Sequence, residues 1–133
     1  MLKFKKGSSG TLTTINAVNF KKGSNSSVAL TDIVINGTHV WCKNPSFSSS
    51  HTTVSQADGN IIASIVISNN SNRNVSFTVS SVGALSKTVS IAGNSTGTCG
   101  LSFSSIPSTI MKWSIQWLDN VTTITTTLGG MAV

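Results

Sequence analysis

Carboxylates are scarce in this chain of 133 residues. It has three of them, Asp32, Asp58 and Asp119, and it contains no glutamate and no tyrosine. Glycoside cleavage needs two carboxyl groups that flank one bond, and three scattered aspartates argue against such a pair. His39 and His51 lie in no hydrolase motif, and the many serines include no Gly-x-Ser-x-Gly elbow. We therefore predict a non-enzymatic protein without catalytic residues.

Ligand sets for metals and cofactors are also missing, so we expect neither. Two cysteines without spaced histidines do not make a zinc site. The single aspartate of Asp58-Gly59-Asn60 supplies too few carboxylates for calcium. Cys42 and Cys99 either form a bridge between sheets, with Trp41 beside Cys42 as in immunoglobulin cores, or remain buried free thiols. The absence of an export signal favours free thiols.

Long apolar runs are absent as well. None approaches the roughly 20 residues of a membrane-spanning helix, so we expect no membrane span. A basic start followed by Gly, Ser and Thr predicts no Sec-type signal peptide. Charged residues make up only 9% of the chain, so solubility depends on Ser, Thr and Asn. Such a surface suits a protein outside cells, or one that is largely covered in an assembly.

The charge that is present is mostly positive, with a formal net charge of +6. A basic N-terminal segment of about 1–24 is interpreted as an assembly arm. This cluster either binds an acidic protein partner or is a solvated edge that prevents strand pairing. Nucleic acid is disfavoured, because only Phe4 and Phe20 offer aromatic stacking there. The candidate partner-binding residues are Lys3, Lys5, Lys6, Lys21 and Lys22.

What the sequence does contain is alternation of apolar and polar residues, most regular at 75–80 and 111–117. Period-two alternation places one side of an extended chain in a core. Turn residues recur at short intervals between runs rich in β-branched residues. We predict one all-β domain over 1–133, an immunoglobulin-like antiparallel β-sandwich with little or no helix. The predicted strands are approximately 11–20, 28–35, 38–43, 51–56, 61–68, 75–82, 86–91, 99–104, 111–118 and 121–127.

Two hairpins and one repeat are predicted from local patterns. Asn36-Gly37 is the preferred pair for a type I′ turn, because both of its central positions need positive φ. A second hairpin is expected to turn at Asp119-Asn120. The segment Phe4-Lys5-Lys6-Gly7-Ser8 recurs as Phe20-Lys21-Lys22-Gly23-Ser24. The two copies are either a pair of antiparallel strands or a coincidence.

The three tryptophans have two possible roles. Trp41, Trp113 and Trp117 either fill the core or stack on sugars. Met111 and Ile115 share a strand face with Trp113 and Trp117, and a stacking platform needs no such buried row beneath it. The pattern therefore favours the core for these two tryptophans.

The predicted hairpin resembles a segment of structural proteins of tailed bacteriophages, in which a hydrophobic strand precedes an Asn-Gly-Thr turn and a Val-Trp pair. The stretch of about 61–127 looks like the Ser/Thr-rich immunoglobulin-like modules that decorate phage particles. The resemblance implies a virion protein made in the host cytoplasm. Its partners would be other virion proteins, in a symmetric homo-oligomer or many copies per particle, with a host-surface glycan as a further candidate. The matching residues are Ile33-Val34-Ile35-Asn36-Gly37-Thr38-His39-Val40-Trp41.

The first functional hypothesis is thus a tail-associated or surface-appendage component of a phage particle. It would act through protein–protein contacts at strand edges and apolar patches. One alternative is a capsid decoration or cement protein that bridges shell subunits. Another, from a different class, is a secreted glycan-binding β-sandwich module with exposed tryptophans.

Overall fold

The fold is all-β, as predicted, and its antiparallel sheets pack in a sandwich-like arrangement. The computed structural model describes residues 3–5, 12–14, 17–22, 26–47, 51–57, 60–104 and 110–131, with side chains at 17–19, 29–47, 61–104 and 110–127. Every regular element in these ranges is a strand. The strands are β1 (Lys3–Lys5), β2 (Leu12–Thr14), β3 (Asn19–Lys22), β4 (Ser26–Ala29), β5 (Asp32–Ile35), β6 (Thr38–Cys42), β7 (Ser46–Phe47), β8 (His51–Ala57), β9 (Asn60–Ser68), β10 (Val75–Ser81), β11 (Lys87–Ile91), β12 (Thr96–Phe103), β13 (Ile110–Trp117) and β14 (Asn120–Met131).

Strands β7 to β14 build the sandwich. Their hydrogen-bonded order is β11-β10-β13-β14-β8-β9-β12, and the short β7 lies beside β9. The long strand β14 joins the two halves, because its first part pairs antiparallel with β13 and its end pairs parallel with β8. The other pairs of this sheet are antiparallel. This order is compatible with an immunoglobulin-like sandwich.

The core lies between the two halves and follows from the alternation in the sequence. Along β13, buried and solvent-facing residues alternate from Met111 to Trp117. β10 shows the same pattern, beginning with the buried Val75. Side chains from β9 and β12 cover these residues from the other half, so one apolar core forms. Its members include Ile65, Ile67, Val75, Phe77, Val79, Cys99, Leu101, Phe103, Met111, Trp113, Ile115 and Trp117.

The N-terminal part is a succession of three two-stranded hairpins, β1–β2, β3–β4 and β5–β6. Among the described strands, none of these hairpins pairs with a third. The Leu30 N–H donates to the Val18 carbonyl at 2.7 Å and closes the second hairpin. The Lys43 N–H donates to the Thr31 carbonyl at 2.9 Å and closes the third. Leu30 thus closes the second hairpin and the next residue, Thr31, begins the third, so no linker separates these two hairpins.

This arrangement corrects two predictions and bears on one alternative that the sequence left open. The predicted strand 28–35 is interrupted at 30–31, where one hairpin ends and the next begins. The predicted strand 11–20 is divided into β2 and the first part of β3, which belong to different hairpins. The described residues of the two Phe-Lys-Lys-Gly-Ser copies do not pair with each other, because β1 pairs with β2 and β3 pairs with β4.

The last hairpin of the chain also differs from its prediction. Trp117 pairs with Asn120, so the turn consists of Leu118 and Asp119 and not of Asp119-Asn120. Leu118 adopts a φ of 50° there. β14 continues to Met131 instead of ending near 127. Its pairing with β13 ends at Thr127, and from there to Met131 it pairs with β8.

Candidate protein-interaction site

The turn between β5 and β6 is formed by Asn36 and Gly37, with φ values of 51° and 77°. Positive φ at both central positions is what a type I′ turn requires. Ile35 pairs with Thr38 across the turn. A Cβ added to Gly37 would meet nothing within 4 Å, so only the backbone conformation favours glycine.

This hairpin has a buried base and an exposed tip. Trp41 and Cys42 at the base are buried. Val34 and Ile35 near the turn are 50% and 52% exposed. The register shifts between Ile33 and Val34, where the buried part gives way to the exposed part. The tip thus presents two half-exposed β-branched apolar side chains.

An ion pair attaches the hairpin base to the β9–β10 loop (69–74). One carboxylate oxygen of Asp32 lies 2.8 Å from Nε of Arg73, without the alignment of a hydrogen bond. The other oxygen lies 2.6 Å from Nδ1 of His39. In addition, Asn70 Nδ2 donates to the Asn44 carbonyl at 3.0 Å. These contacts fix the hairpin to one end of the sandwich, which we call the hairpin end.

The β9–β10 loop is itself held by a buried asparagine. Asn69 Nδ2 donates to the carbonyls of Arg73 at 2.8 Å and Ile91 at 2.9 Å, and Oδ1 accepts from the Ser71 N–H at 3.0 Å. Gly93 in the β11–β12 turn (92–95) approaches this loop so closely that a Cβ there would lie 2.4 Å from a backbone carbon of Asn72. The hairpin therefore attaches to a rigid support and not to a loose loop.

Both cysteines are buried free thiols. Burial raises the pKa of the Cys42 thiol, and the nearby Arg73 offsets part of that rise. Burial likewise raises the pKa of the Cys99 thiol, with a partial offset from Lys87. Protonated, buried thiols are poor nucleophiles and poor metal ligands, so their role is packing.

The opposite end of the sandwich presents a second apolar feature, the β10–β11 turn (82–86). Val82 is 93% exposed and Leu85 is 90% exposed. The turn is nevertheless held in place, because Ala84 forms a β-bridge with Phe103 and a Cβ at Gly83 would lie 3.6 Å from the Phe103 ring. A groove of about 360 Å³ adjoins Val82. Its lining residues are Ser80, Ser81, Val82, Lys112, Trp113, Ser114 and Thr123.

All three tryptophans are buried, which confirms the core interpretation of Trp113 and Trp117. The Trp113 indole N–H donates to Thr126 Oγ1 at 3.1 Å inside the core. The Trp117 ring packs with the rings of Phe47 and Phe77, at centroid distances of 6.5 and 6.4 Å. Neither ring is available as a sugar-stacking platform.

The predicted lysine site is placed only in part. Its residues are distributed over two hairpins, in β1 and β3. Lys6 lies outside the described residues, and the structure describes the backbone alone at the other four lysines. Their common binding surface stays a prediction. The five residues are Lys3 and Lys5 in β1, the undescribed Lys6, and Lys21 and Lys22 in β3.

Other kinds of site find no support in the described part of the chain. Its His, Cys, Asp and Glu side chains form no group of three or more that could hold a metal ion. It also contains no helix of the length and apolar character needed to cross a membrane. Comparison of the chain with protein-family models, curated proteins and solved structures found no match.

Sequence reasoning missed two parts of this geometry. The pair of Asp32 and Arg73 joins residues far apart in the chain, and no local pattern indicates it. The exposed Val82 did leave a signal, because it breaks the alternation of Val75, Phe77 and Val79. An apolar residue out of phase beside a glycine turn indicates an exposed apolar site.

Proposed function

We propose that this chain is a non-enzymatic structural protein of a tailed phage particle. It is a tail-associated or surface-appendage component of the virion, and it acts through protein–protein contacts. The observation that carries the proposal is the β5–β6 hairpin, which has an exposed apolar tip and pairs with no third strand among the described ones.

Such a hairpin is physically incomplete by itself. Isolated two-stranded hairpins are marginally stable in water, and three or more strands are normally needed. Unpaired strand edges are also templates on which another chain can add. The ion pair of Asp32 and Arg73 holds the hairpin in a fixed place. A fixed, incomplete apolar element favours a role in contacts with other proteins.

The resemblance supports the same proposal from the sequence side. The segment similar to tailed-phage structural proteins, Ile33 to Trp41, is the segment that forms this hairpin. The small number of charged residues suits a surface that neighbouring subunits cover. The virion is accordingly the proposed location.

The secreted glycan-binding alternative loses its main support. It required exposed tryptophans as stacking platforms, and Trp41, Trp113 and Trp117 are all buried. A glycan contact by this fold would have to use other side chains.

Immunogold electron microscopy of purified particles from the source tests the proposal. An antibody against the folded chain should label the tail or an appendage at a regular position. A second antibody against the major capsid protein controls for access and integrity of the particles. Label restricted to the shell would replace the tail assignment with the decoration alternative, and label on no particle would contradict the proposal.

A further inference from the structure

We propose that Asn36 in the β5–β6 turn is a site of spontaneous deamidation, in which the Gly37 backbone nitrogen attacks the Asn36 side-chain amide. The products are aspartate and isoaspartate at position 36. Asparagine is a chemically labile residue, and its rate of loss depends on two local conditions. The next backbone nitrogen must be accessible, and the side-chain amide must be free to approach it. This modification of the hairpin tip does not depend on the proposed function.

Water is the co-reactant that the modification needs. The Gly37 nitrogen gives its proton to solvent base and forms a bond to Cγ of Asn36. The bond between Cγ and Nδ2 then breaks, ammonia leaves, and a five-membered succinimide ring remains. Water opens the ring at either of its carbonyls. Opening at the side-chain carbonyl gives aspartate, and opening at the backbone carbonyl gives isoaspartate.

The attacking nitrogen of Gly37 is accessible. Asn36-Gly37 is the only Asn-Gly pair in the chain, and both residues are exposed. The strand pairing ends with Ile35 and Thr38, so the Gly37 N–H lies outside the ladder of hydrogen bonds. A Cβ added to Gly37 would meet nothing within 4 Å, so solvent reaches the residue from that side. The missing side chain also removes a steric barrier to closure of the ring.

The Asn36 amide is free to approach that nitrogen, because no hydrogen bond among the described residues holds it. Two asparagines of the β9–β10 loop show the contrast. Asn69 is buried, and its Nδ2 donates to backbone carbonyls at 2.8 and 2.9 Å. Asn70 Nδ2 donates to Ser46 Oγ at 2.8 Å. Amides that are held in this way cannot turn toward the next backbone nitrogen.

Asn94 in the β11–β12 turn is the closest internal comparison. Asn36 and Asn94 are the two described asparagines with positive φ, at 51° and 55°, and both are exposed. The residue after Asn94 is Ser95, which carries a side chain and whose N–H donates to the Ala92 carbonyl at 3.2 Å. The attacking nitrogen is therefore engaged and shielded after Asn94, whereas it is open after Asn36. Similar backbone conformations thus predict different reactivity.

The two products change the tip in different ways. Aspartate preserves the backbone, and Asp-Gly also suits a type I′ turn, but it adds a negative charge beside the exposed Val34 and Ile35. Isoaspartate routes the chain through the side-chain carbon and adds one backbone atom to the turn. The pairing of Ile35 with Thr38 depends on a two-residue turn, so isoaspartate should disrupt it. Deamidation therefore converts an uncharged tip into an acidic one.

Peptide mapping of the full chain after incubation at neutral and at mildly alkaline pH tests the site. Trypsin cleaves after lysine and arginine, so Asn36 is recovered in the peptide 23–43 and Asn94 in the peptide 88–112. The peptide 23–43 should gain the mass difference between an amide and an acid, and fragment ions should place the change at position 36. Synthetic standards distinguish isoaspartate from aspartate. The conversion should be faster at the higher pH, because the Gly37 nitrogen attacks after losing its proton, and the peptide 88–112 should stay unchanged.

Asn36→Gln is the matched control, because its amide is one carbon further from the backbone and cannot form the five-membered ring. This variant should keep its amide, and a circular dichroism melt establishes that it is folded. Conversion of the variant at the rate of the parent would show direct hydrolysis and overturn the attack by Gly37. Equal conversion at Asn94 would overturn the distinction drawn from Ser95. A folded parent that keeps its amide at position 36 overturns the proposal, and loss of that amide in urea over the same time would show that the turn protects it.

Discussion

Replacement of Trp113 by alanine should remove a large part of the stability of the sandwich. Trp113 is fully buried at the centre of β13, where it pairs with Ile124 of β14 and Ser81 of β10. Its indole N–H also donates to Thr126 inside the core. The side chain therefore contributes both apolar burial and a buried hydrogen bond.

The expected loss follows from these two contributions. A buried tryptophan removes about 200 Å² from water, which at roughly 25 cal/mol per Å² corresponds to about 5 kcal/mol. Measured large-to-small changes of this kind lower the free energy of unfolding by about 3–5 kcal/mol. The hydrogen bond, with a net contribution of about 1 kcal/mol, places Trp113→Ala at the upper end. Trp117→Ala should lie lower, because the Trp117 indole N–H has no hydrogen-bond partner among the described residues.

Thermal denaturation followed by circular dichroism measures the loss. A reduction of about 4 kcal/mol should lower Tm by roughly 12–20 °C for a domain of this size. Gln116→Ala is the matched control, because Gln116 is an exposed neighbour on the same strand and should change stability by no more than about 0.5 kcal/mol. The milder Trp113→Phe keeps a ring in the site in case the alanine variant does not fold. A Trp113→Ala melt that coincides with the parent would refute the sandwich core described above.

Four further predictions concern the turns, the lysines and the thiols. Gly37→Val should lower the free energy of unfolding by about 1–2 kcal/mol, because a β-branched residue resists positive φ; an unchanged urea midpoint would remove this claim. Gly93→Ala should destabilise by about 1–3 kcal/mol through overpacking against the neighbouring loop, and a parent-like melt would show that the loop can yield. Replacement of the five lysines of the 1–24 segment by glutamine should make attachment to the particle weaker and less sensitive to salt, whereas salt-independent retention of the parent would count against an acidic partner. Cys42 and Cys99 should react with a thiol reagent far faster after unfolding, because burial raises the pKa of both thiols. The thiols of the unfolded chain therefore lose their protons at a lower pH than the buried thiols of the folded chain. The free energy of unfolding should be unaffected below about pH 9 and should decrease as the pH rises toward the raised pKa values of the folded state. A free energy of unfolding that stays constant at alkaline pH would contradict this.

The sandwich strands were predictable because each buries one face. The predicted strand 111–118 corresponds to Ile110–Trp117, and the predicted 75–82 corresponds to Val75–Ser81. Alternation records this one-sided burial directly in the sequence. The strand order, by contrast, depends on which faces meet, and the parallel pairing of β14 with β8 has no local signature.

The N-terminal hairpins were harder to predict for a physical reason. In the β5–β6 hairpin only the base is buried, so β5 shows no alternation of buried and exposed residues, and the strand ends near 30–31 could not be recognised. The Asn36-Gly37 turn was visible because its backbone conformation restricts the residue types that fit. The attachment of the hairpin base through Asp32 and Arg73 was not visible, because it depends on two distant segments meeting in space.

Quantitative mass spectrometry of density-purified particles tests the central claim most directly. The number of copies of this chain should be measured relative to the major capsid protein. A structural role in a symmetric particle predicts a fixed ratio that corresponds to a multiple of the particle symmetry and persists through repeated purification. Loss of the chain from the particles during purification, or its recovery only in the particle-free medium, would contradict the proposed function.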